Sequence, residues 1–311
     1  MLVNKKSKIF IAGHTGMVGS SLLRHFKRKG YKNLLFKNRK SLDLINQKET
    51  NSYIKKIKPD FVIIAAAKVG GIFFNNDQKA KSIYENIMIQ TNLIHSSFLA
   101  GVKKLIFLGS SCIYPKYAKQ PIREDYLMTG KLEQTNDSYA TAKLAGYKMC
   151  EAYNKQYKTN YICLMPTNLY GPNDNYNLKT SHFFPAIISK THLALKQKSK
   201  TIKIWGDGTP KRELMYVDDL ADACEFFLKK KTKHSLINVG SGEEKTILAY
   251  YKFALKKLNA DLKIKFEIKK PNGTPRKKLD ISLAKKYGWK PKYNLSKGFD
   301  ITYKDYLKRL T

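Results

Sequence analysis

Tyr139 and Lys143 stand four residues apart in Asp137-Ser-Tyr-Ala-Thr-Ala-Lys143, a spacing that puts both on one face of a helix. A phenol that ionises near pH 10 is a poor acid at neutrality. A neighbouring ammonium favours the phenolate and draws its pKa toward the working range. Upstream, Ser110 ends an apolar run in Leu108-Gly109-Ser110-Ser111-Cys112, and its hydroxyl can bond the same oxygen that the tyrosine protonates. The three suit proton delivery to a carbonyl oxygen while a hydride reaches its carbon. A lone Tyr-x-x-x-Lys is common on helix surfaces. The expectation rests on the pair following both a serine at a strand end and a glycine turn, in that order.

These groups need a frame, and the chain supplies one. Lys8–Ala12 is a short apolar run. Gly13-His14-Thr15-Gly16-Met17-Val18-Gly19 follows at once, and Ser20–Lys29 then carries Leu22, Leu23 and Phe26 at helical spacing. Strand, glycine turn and helix together make a dinucleotide site, because the backbone turns tightly and a pyrophosphate can approach the helix N-terminus. The second strand, Asn33–Asn38, ends in Asn38-Arg39-Lys40 rather than in an acid. Basic residues there suit a 2′-phosphate, so NADP is expected over NAD. Asp60–Ala67 is a continuous apolar run, as a strand buried on both faces requires. Ser82–Leu99 is helical in spacing, and Lys104–Gly109 is a fourth strand. The alternation predicts an α/β fold with a doubly wound parallel sheet of the Rossmann kind. Ligands then gather beyond the strand C-termini. Further on, Phe183–Leu195 and Met215–Leu228 read as helices, Lys203–Gly206 as a strand and Ile237–Gly242 as a strand returning to the sheet. Tyr250–Leu258, Ile281–Tyr287 and the basic tail Lys297–Thr311 read as further helices.

Longer strings narrow the reading. Ala-Ala-Ala-Lys-Val-Gly-Gly (65–71), Leu-Gly-Ser-Ser-Cys-Ile-Tyr-Pro (108–115), Ala-Lys-Gln-Pro (118–121), Met-Pro-Thr-Asn-Leu-Tyr-Gly-Pro (165–172), Trp-Gly-Asp-Gly-Thr-Pro-Lys-Arg-Glu (205–213) and Gly-Thr-Pro-Arg-Lys (273–277) resemble the GDP-L-fucose synthase branch of the extended short-chain dehydrogenase/reductases. The resemblance spans residues 8 to 305. It implies an NADPH-dependent enzyme that epimerises C3 and C5 of GDP-4-keto-6-deoxy-D-mannose and then reduces C4. Tyr139 matches the family's proton donor, Lys143 its partner at the nicotinamide ribose, and Ser110 its serine. Cys112 and His182 match the epimerising pair, with Cys112 expected as base and His182 as acid. Thiols and imidazoles both titrate within reach of neutrality. The cofactor would be held by Gly13, His14, Thr15, Gly16, Met17, Val18, Gly19, Arg39, Leu108, Gly109, Ser110, Ser111, Lys143, Pro166, Thr167, Asn168, Leu169 and His182. The nucleotide sugar would meet Asn168, Lys190, Trp205, Arg212 and Asn272. Residues 1–171 would form the NADP-binding domain, with return segments near 205–245, and 172–311 a smaller, mainly substrate-binding α/β domain. A homodimer would form through Ile83–Leu99 and Tyr139–Tyr157. Two departures stand out: Thr15 replaces an arginine common in the glycine turn, and Asn272 replaces an aspartate.

Composition bounds the alternatives. The chain has 311 residues, 42% of them hydrophobic, and 59 Lys+Arg against 24 Asp+Glu give +35. A basic protein that binds RNA on this fold is one rival reading, but only seven of the basic residues are Arg, the better base and phosphate fork. The lysines are also spread along the chain, as on a solvated surface, so no nucleic-acid partner is expected. A reductase of a related keto-heptose is the second rival, since a thiol–imidazole pair does not distinguish six carbons from seven. The longest apolar stretch, Phe61–Ala67, is far short of the roughly 20 residues a membrane helix needs. Cys112, Cys150, Cys163 and Cys224 form no Cys-x-x-Cys pair, so neither a metal nor a disulfide framework is expected. The sequence reads as that of a cytoplasmic protein without a membrane partner.

Overall fold

A computed structural model of the protein describes residues 3–70, 77–178, 180–270 and 272–310. Gly71 of the strings above, and Thr311 of the basic tail, lie outside the described residues. Six parallel strands form the main sheet in the order β2-β1-β3-β4-β5-β9. They are β1 (Ile9–Ala12), β2 (Leu34–Leu35), β3 (Phe61–Ile64), β4 (Lys104–Leu108), β5 (Tyr161–Pro166) and β9 (Leu236–Val239). Side chains alternate between two apolar layers. Ile9, Ile11, Ile63, Ile106 and Leu164 enter one, and Phe10, Val62, Ile64, Phe107 and Met165 enter the other. Both faces are covered, which is why β1 and β3 read as unbroken apolar runs; β5 is not read as a strand from the sequence. Helices α1 (Met17–Arg28) and α6 (Val217–Lys229) pack together on one side; α2 (Gln47–Ile57), α3 (Lys79–Leu99) and α4 (Asp137–Tyr157) pack together on the other. This is the doubly wound architecture expected from the sequence, and its order reverses at β1, where ligands of such sheets bind.

The rest of the chain builds a second core. β8 (Lys211–Tyr216) is flanked by β10 (Glu244–Thr246), β12 (Arg276–Lys277) and β6 (Asn168–Tyr170), while β7 (Thr201–Trp205) pairs with β11 (Lys263–Glu267). α5 (Phe183–Lys196), α7 (Ile247–Lys257) and α9 (Leu295–Lys308) carry Phe184, Ile188, Tyr250, Tyr251, Phe299 and Tyr306 into it. The short α8 (Ser282–Tyr287) ends at Gly288, whose φ of 103° stops the helix.

Two strands are shorter than expected. β2 keeps two residues of the predicted six. β3 ends at Ile64 rather than Ala67, because Ala65 and Ala66 pass directly against the glycine turn: a Cβ on Gly13 would lie 2.6 Å from the Ala66 amide nitrogen. Among the described residues no helix is long and apolar enough to cross a membrane.

Candidate active site

Two loops leave the C-terminal ends of β1 and β4 and define the site. The first is the glycine turn. Gly13 takes φ 85°, a left-handed conformation that favours glycine. A Cβ on Gly19 would lie 2.1 Å from the Gly13 carbonyl oxygen. The turn therefore packs backbone on backbone, with the Gly16 amide donating to the Gly13 carbonyl at 3.2 Å. α1 begins here with no acidic residue in its first turn and no side-chain cap, so its dipole and free N–H groups face the strand ends unopposed. The His14 ring packs against Phe36, 4.7 Å between centroids, and its buried Nδ1 has no hydrogen-bond partner among the described residues. Arg39 sits at the exposed end of this wall, 3.6 Å from Glu85. The arginine is exposed while the Glu85 carboxylate is buried.

The second loop follows β4. Leu108 and Gly109 are buried at its end. Ser110 is extended, and its Oγ accepts from the Cys112 amide at 3.3 Å, opening a single 3-10 turn over Ser111–Ile113. Tyr139, in the first turn of α4, is buried close to Ser110. Lys143 is buried one turn further on and donates to the Leu108 carbonyl at 2.9 Å. Burial brings the Lys143 ammonium down to about 8. The Tyr139 phenol moves the other way from the expectation: burial, with a smaller contribution from Cys112, raises it, and the Ser110 hydrogen bond only partly opposes this. The Lys143 Nζ lies 6.0 Å from the centre of the Tyr139 ring and points to a carbonyl. In this arrangement the lysine fixes the strand end more than it draws on the phenol.

Cys112 is half-buried, and two side chains meet its sulfur. Asn136 Nδ2 and Lys277 Nζ each donate to Sγ at 3.4 Å. Asn136 stands at the N-cap of α4 yet makes no capping bond, because its amide is turned to the thiol. Lys277 is on β12, far along the chain. Sequence reasoning named neither as a site residue; the signal for Lys277 was its place in the string 273–277. His182 is the N-cap residue of α5 and is exposed. The surrounding protein, then the nearby Lys277 ammonium, lower its pKa. Lys277 thus lies close to both members of the expected pair.

The expected sugar-nucleotide residues form one connected run. Lys190 Nζ lies 5.3 Å and Lys270 Nζ 5.5 Å from the ring centre of Trp205, which is 56% exposed. Asn272 Oδ1 accepts from the Asp207 amide at 2.9 Å. Arg212 on β8 reaches the neighbouring Gly273, and Asn168 donates to the Glu213 carbonyl at 3.0 Å. Pro166 and Thr167 are buried where β5 meets β9, and Leu169 is half-buried beside them. A cavity of about 40 Å³ opens at Cys112, Asn136 and Lys277. A larger one, about 240 Å³, lies among Tyr170, Tyr216, Tyr250 and Tyr293 and contains none of the expected catalytic groups; chemistry, not volume, marks the site.

Residues 9–240 match the NAD dependent epimerase/dehydratase family. The chain belongs to this family. Its relatives include GDP-L-fucose synthase 1 of Arabidopsis thaliana, 47% identical over 99% of this chain and 95% of that protein, and GDP-L-fucose synthase of Escherichia coli K12, 43% identical over 97% of each. A solved member, a GDP-6-OMe-4-keto-L-xylo-heptose reductase from C. jejuni, superposes with a TM-score of 0.92 at 34% identity over 99% of this chain and all of that one.

Proposed function

We propose that the chain converts GDP-4-keto-6-deoxy-D-mannose to GDP-L-fucose, epimerising C3 and C5 and then reducing the C4 keto group with NADPH. The observation that carries this reading is the Cys112 thiol, held by Asn136 and Lys277 close to Ser110 and the buried Tyr139. A simple C4 oxidoreductase needs only the second set.

The glycine turn fits a dinucleotide. Its Gly13/Gly19 cradle has no room for a Cβ, the helix behind it has no side-chain cap, and the buried His14 Nδ1 has no partner among the described residues. Gly13 to Gly19, Arg39, Leu108 to Ser111, Lys143, Pro166 to Leu169 and His182 would hold the cofactor. When bound, it supplies the hydride for C4.

The chain's own residues do the proton chemistry. Carbons 3 and 5 flank a carbonyl, so loss of a proton from either leaves an enolate spread onto the C4 oxygen. Cys112 takes that proton as its sulfur becomes a thiol, and His182 returns one from the opposite face, leaving a neutral imidazole. Lys277 offsets the negative charge between them. An imidazole held below its ordinary pKa is the stronger acid once protonated. For reduction, Tyr139 gives its hydroxyl proton to O4, Ser110 hydrogen-bonds the same oxygen, and the Lys143 ammonium, fixed on the Leu108 carbonyl, would meet the nicotinamide ribose. Lys190, Arg212, Asn168 and Asn272 suit a diphosphate and its ribose, and Trp205 offers an exposed apolar face. Residues 1–171 with the later return of β9 would carry the cofactor, and 172–311 mainly the nucleotide sugar.

A homodimer through α3 and α4 is part of this reading. Phe98, Tyr153 and Tyr157 form a ring cluster across the two helices, and Tyr84 and Leu99 are exposed on them. Sedimentation giving a monomer at micromolar concentration would remove the dimer. The need for a reduced Cys112 thiol supports a cytoplasmic setting. The function itself is tested by mixing the protein with NADPH and GDP-4-keto-6-deoxymannose: NADPH oxidation with GDP-L-fucose as product is expected. Turnover of a GDP-linked keto-heptose with none of the hexose would overturn the substrate.

A further inference from the structure

The glycine turn is tied to the far end of the chain through one residue that the reaction does not use. Asn173, just past β6, sits at φ 74°, a left-handed conformation that asparagine tolerates better than most residues. Its Nδ2 donates to the Thr15 carbonyl at 3.0 Å, and its own amide donates to Asp305 Oδ2 at 2.9 Å. Arg309 closes the arrangement, donating through Nε to the same Asp305 oxygen at 2.9 Å and through its other nitrogen to Asn173 Oδ1. Asp305 lies on α9 and Arg309 directly follows it. Both ends of the Asn173 amide are therefore engaged: the donor by the cofactor turn, the acceptor by the C-terminal helix.

The Thr15 carbonyl shares a rigid peptide plane with the Gly16 N–H. That N–H closes the turn onto the Gly13 carbonyl, and Gly16 is the N-cap of α1. Fixing the carbonyl from one side fixes the direction of the N–H on the other, and with it the entry to the helix. Thr15 itself is exposed, so no buried side chain at that position does this work.

We propose that Asn173 is a positioning residue for the cofactor: clamped by Asp305 and Arg309, it holds the Thr15–Gly16 peptide in the orientation that receives the dinucleotide pyrophosphate, so that the last helix of the substrate half sets cofactor affinity. The proposal rests on the NADPH reading above. It differs from it in locating affinity at a residue that need not touch the cofactor.

The test uses the full chain and three variants, with NADPH affinity read by fluorescence titration and by steady-state KM. Asn173→Gly accepts the positive φ and keeps the backbone bond to Asp305 while losing both side-chain bonds. It should raise the Kd and KM for NADPH about 5-fold, the scale of one lost neutral hydrogen bond. The kcat and the KM for the sugar should stay within about 2-fold. Asn173→Asp also accepts this φ but sets a carboxylate oxygen against the Thr15 carbonyl, and should weaken NADPH more than the glycine does. Arg309→Met frees the acceptor side of the amide and one bond to Asp305 while sparing the bond to Thr15, and should give a smaller rise. A merely structural role would lower the melting temperature and kcat together without this split. NADPH binding by Asn173→Gly and Asn173→Asp equal to wild type would overturn the proposal. Failure of wild type to bind NADPH at all would instead remove the cofactor reading beneath it.

Discussion

The two walls of the proposed site are built in different ways. Ser110, Tyr139 and Lys143 come from one strand end and one helix turn, and the tyrosine and lysine are buried. Cys112, His182 and Lys277 come from a 3-10 turn, a helix N-cap and a strand of the second core, none of them fully buried. Burial of Tyr139 and Lys143 in the first wall shifts the pKa values of both. The second wall is assembled from three distant segments, which lets groups approach a ring from opposite faces but makes the assembly depend on tertiary packing. On the proposed mechanism the difference follows from the chemistry. Reduction addresses one oxygen from one side, whereas inversion at carbon needs an acid and a base on opposite sides.

The comparison can be broken by removing one wall at a time. The largest effect is expected for Tyr139→Phe. NADPH oxidation should fall by about 10²–10⁴-fold, the usual worth of a positioned acid, while exchange of the C3 and C5 protons with deuterated water persists. Loss of both activities together would mean that the walls are not separable. Lys277→Met should come next, slowing proton exchange by about 10-fold or more with NADPH affinity unchanged, because it strips the charge beside the sulfur. Exchange at the wild-type rate would leave Lys277 a structural neighbour only. The smallest effect is one of pH. Lys143 is lowered to about 8, so it is charged below that value and loses its proton above it. The kcat/KM for reduction should therefore decline on the alkaline side of about pH 8. Lys143→Arg, which keeps its charge at all these values, should move that limb to higher pH. An unchanged limb in this variant would assign the decline to another group.

The first wall was legible in the sequence because its signals are local. A glycine turn after an apolar run, a serine at a strand end and Tyr-x-x-x-Lys each sit within a few residues, and the sheet that joins them follows from the strand–helix alternation. The thiol wall was legible only through resemblance. Asn136 meets Cys112 from 24 positions away and Lys277 from 165, distances over which no periodicity speaks. Asn136 is also disguised, since an asparagine opening a helix ordinarily reads as its cap. The expectation for Tyr139 failed for a related reason. Spacing puts the lysine on the same helix face, but the Leu108 carbonyl, which belongs to another element, decides where its ammonium points. The early end of β3 was likewise set by a non-local contact, the close pass of Ala66 against Gly13.

The most direct test of the thiol wall is isotope incorporation in Cys112→Ser, run beside wild type with the GDP-linked keto sugar in deuterated water and followed by NMR. The account predicts deuterium at both C3 and C5 with wild type, and a fall of about 10² or more in the variant while its NADPH affinity stays the same. Incorporation by Cys112→Ser at the wild-type rate would contradict it.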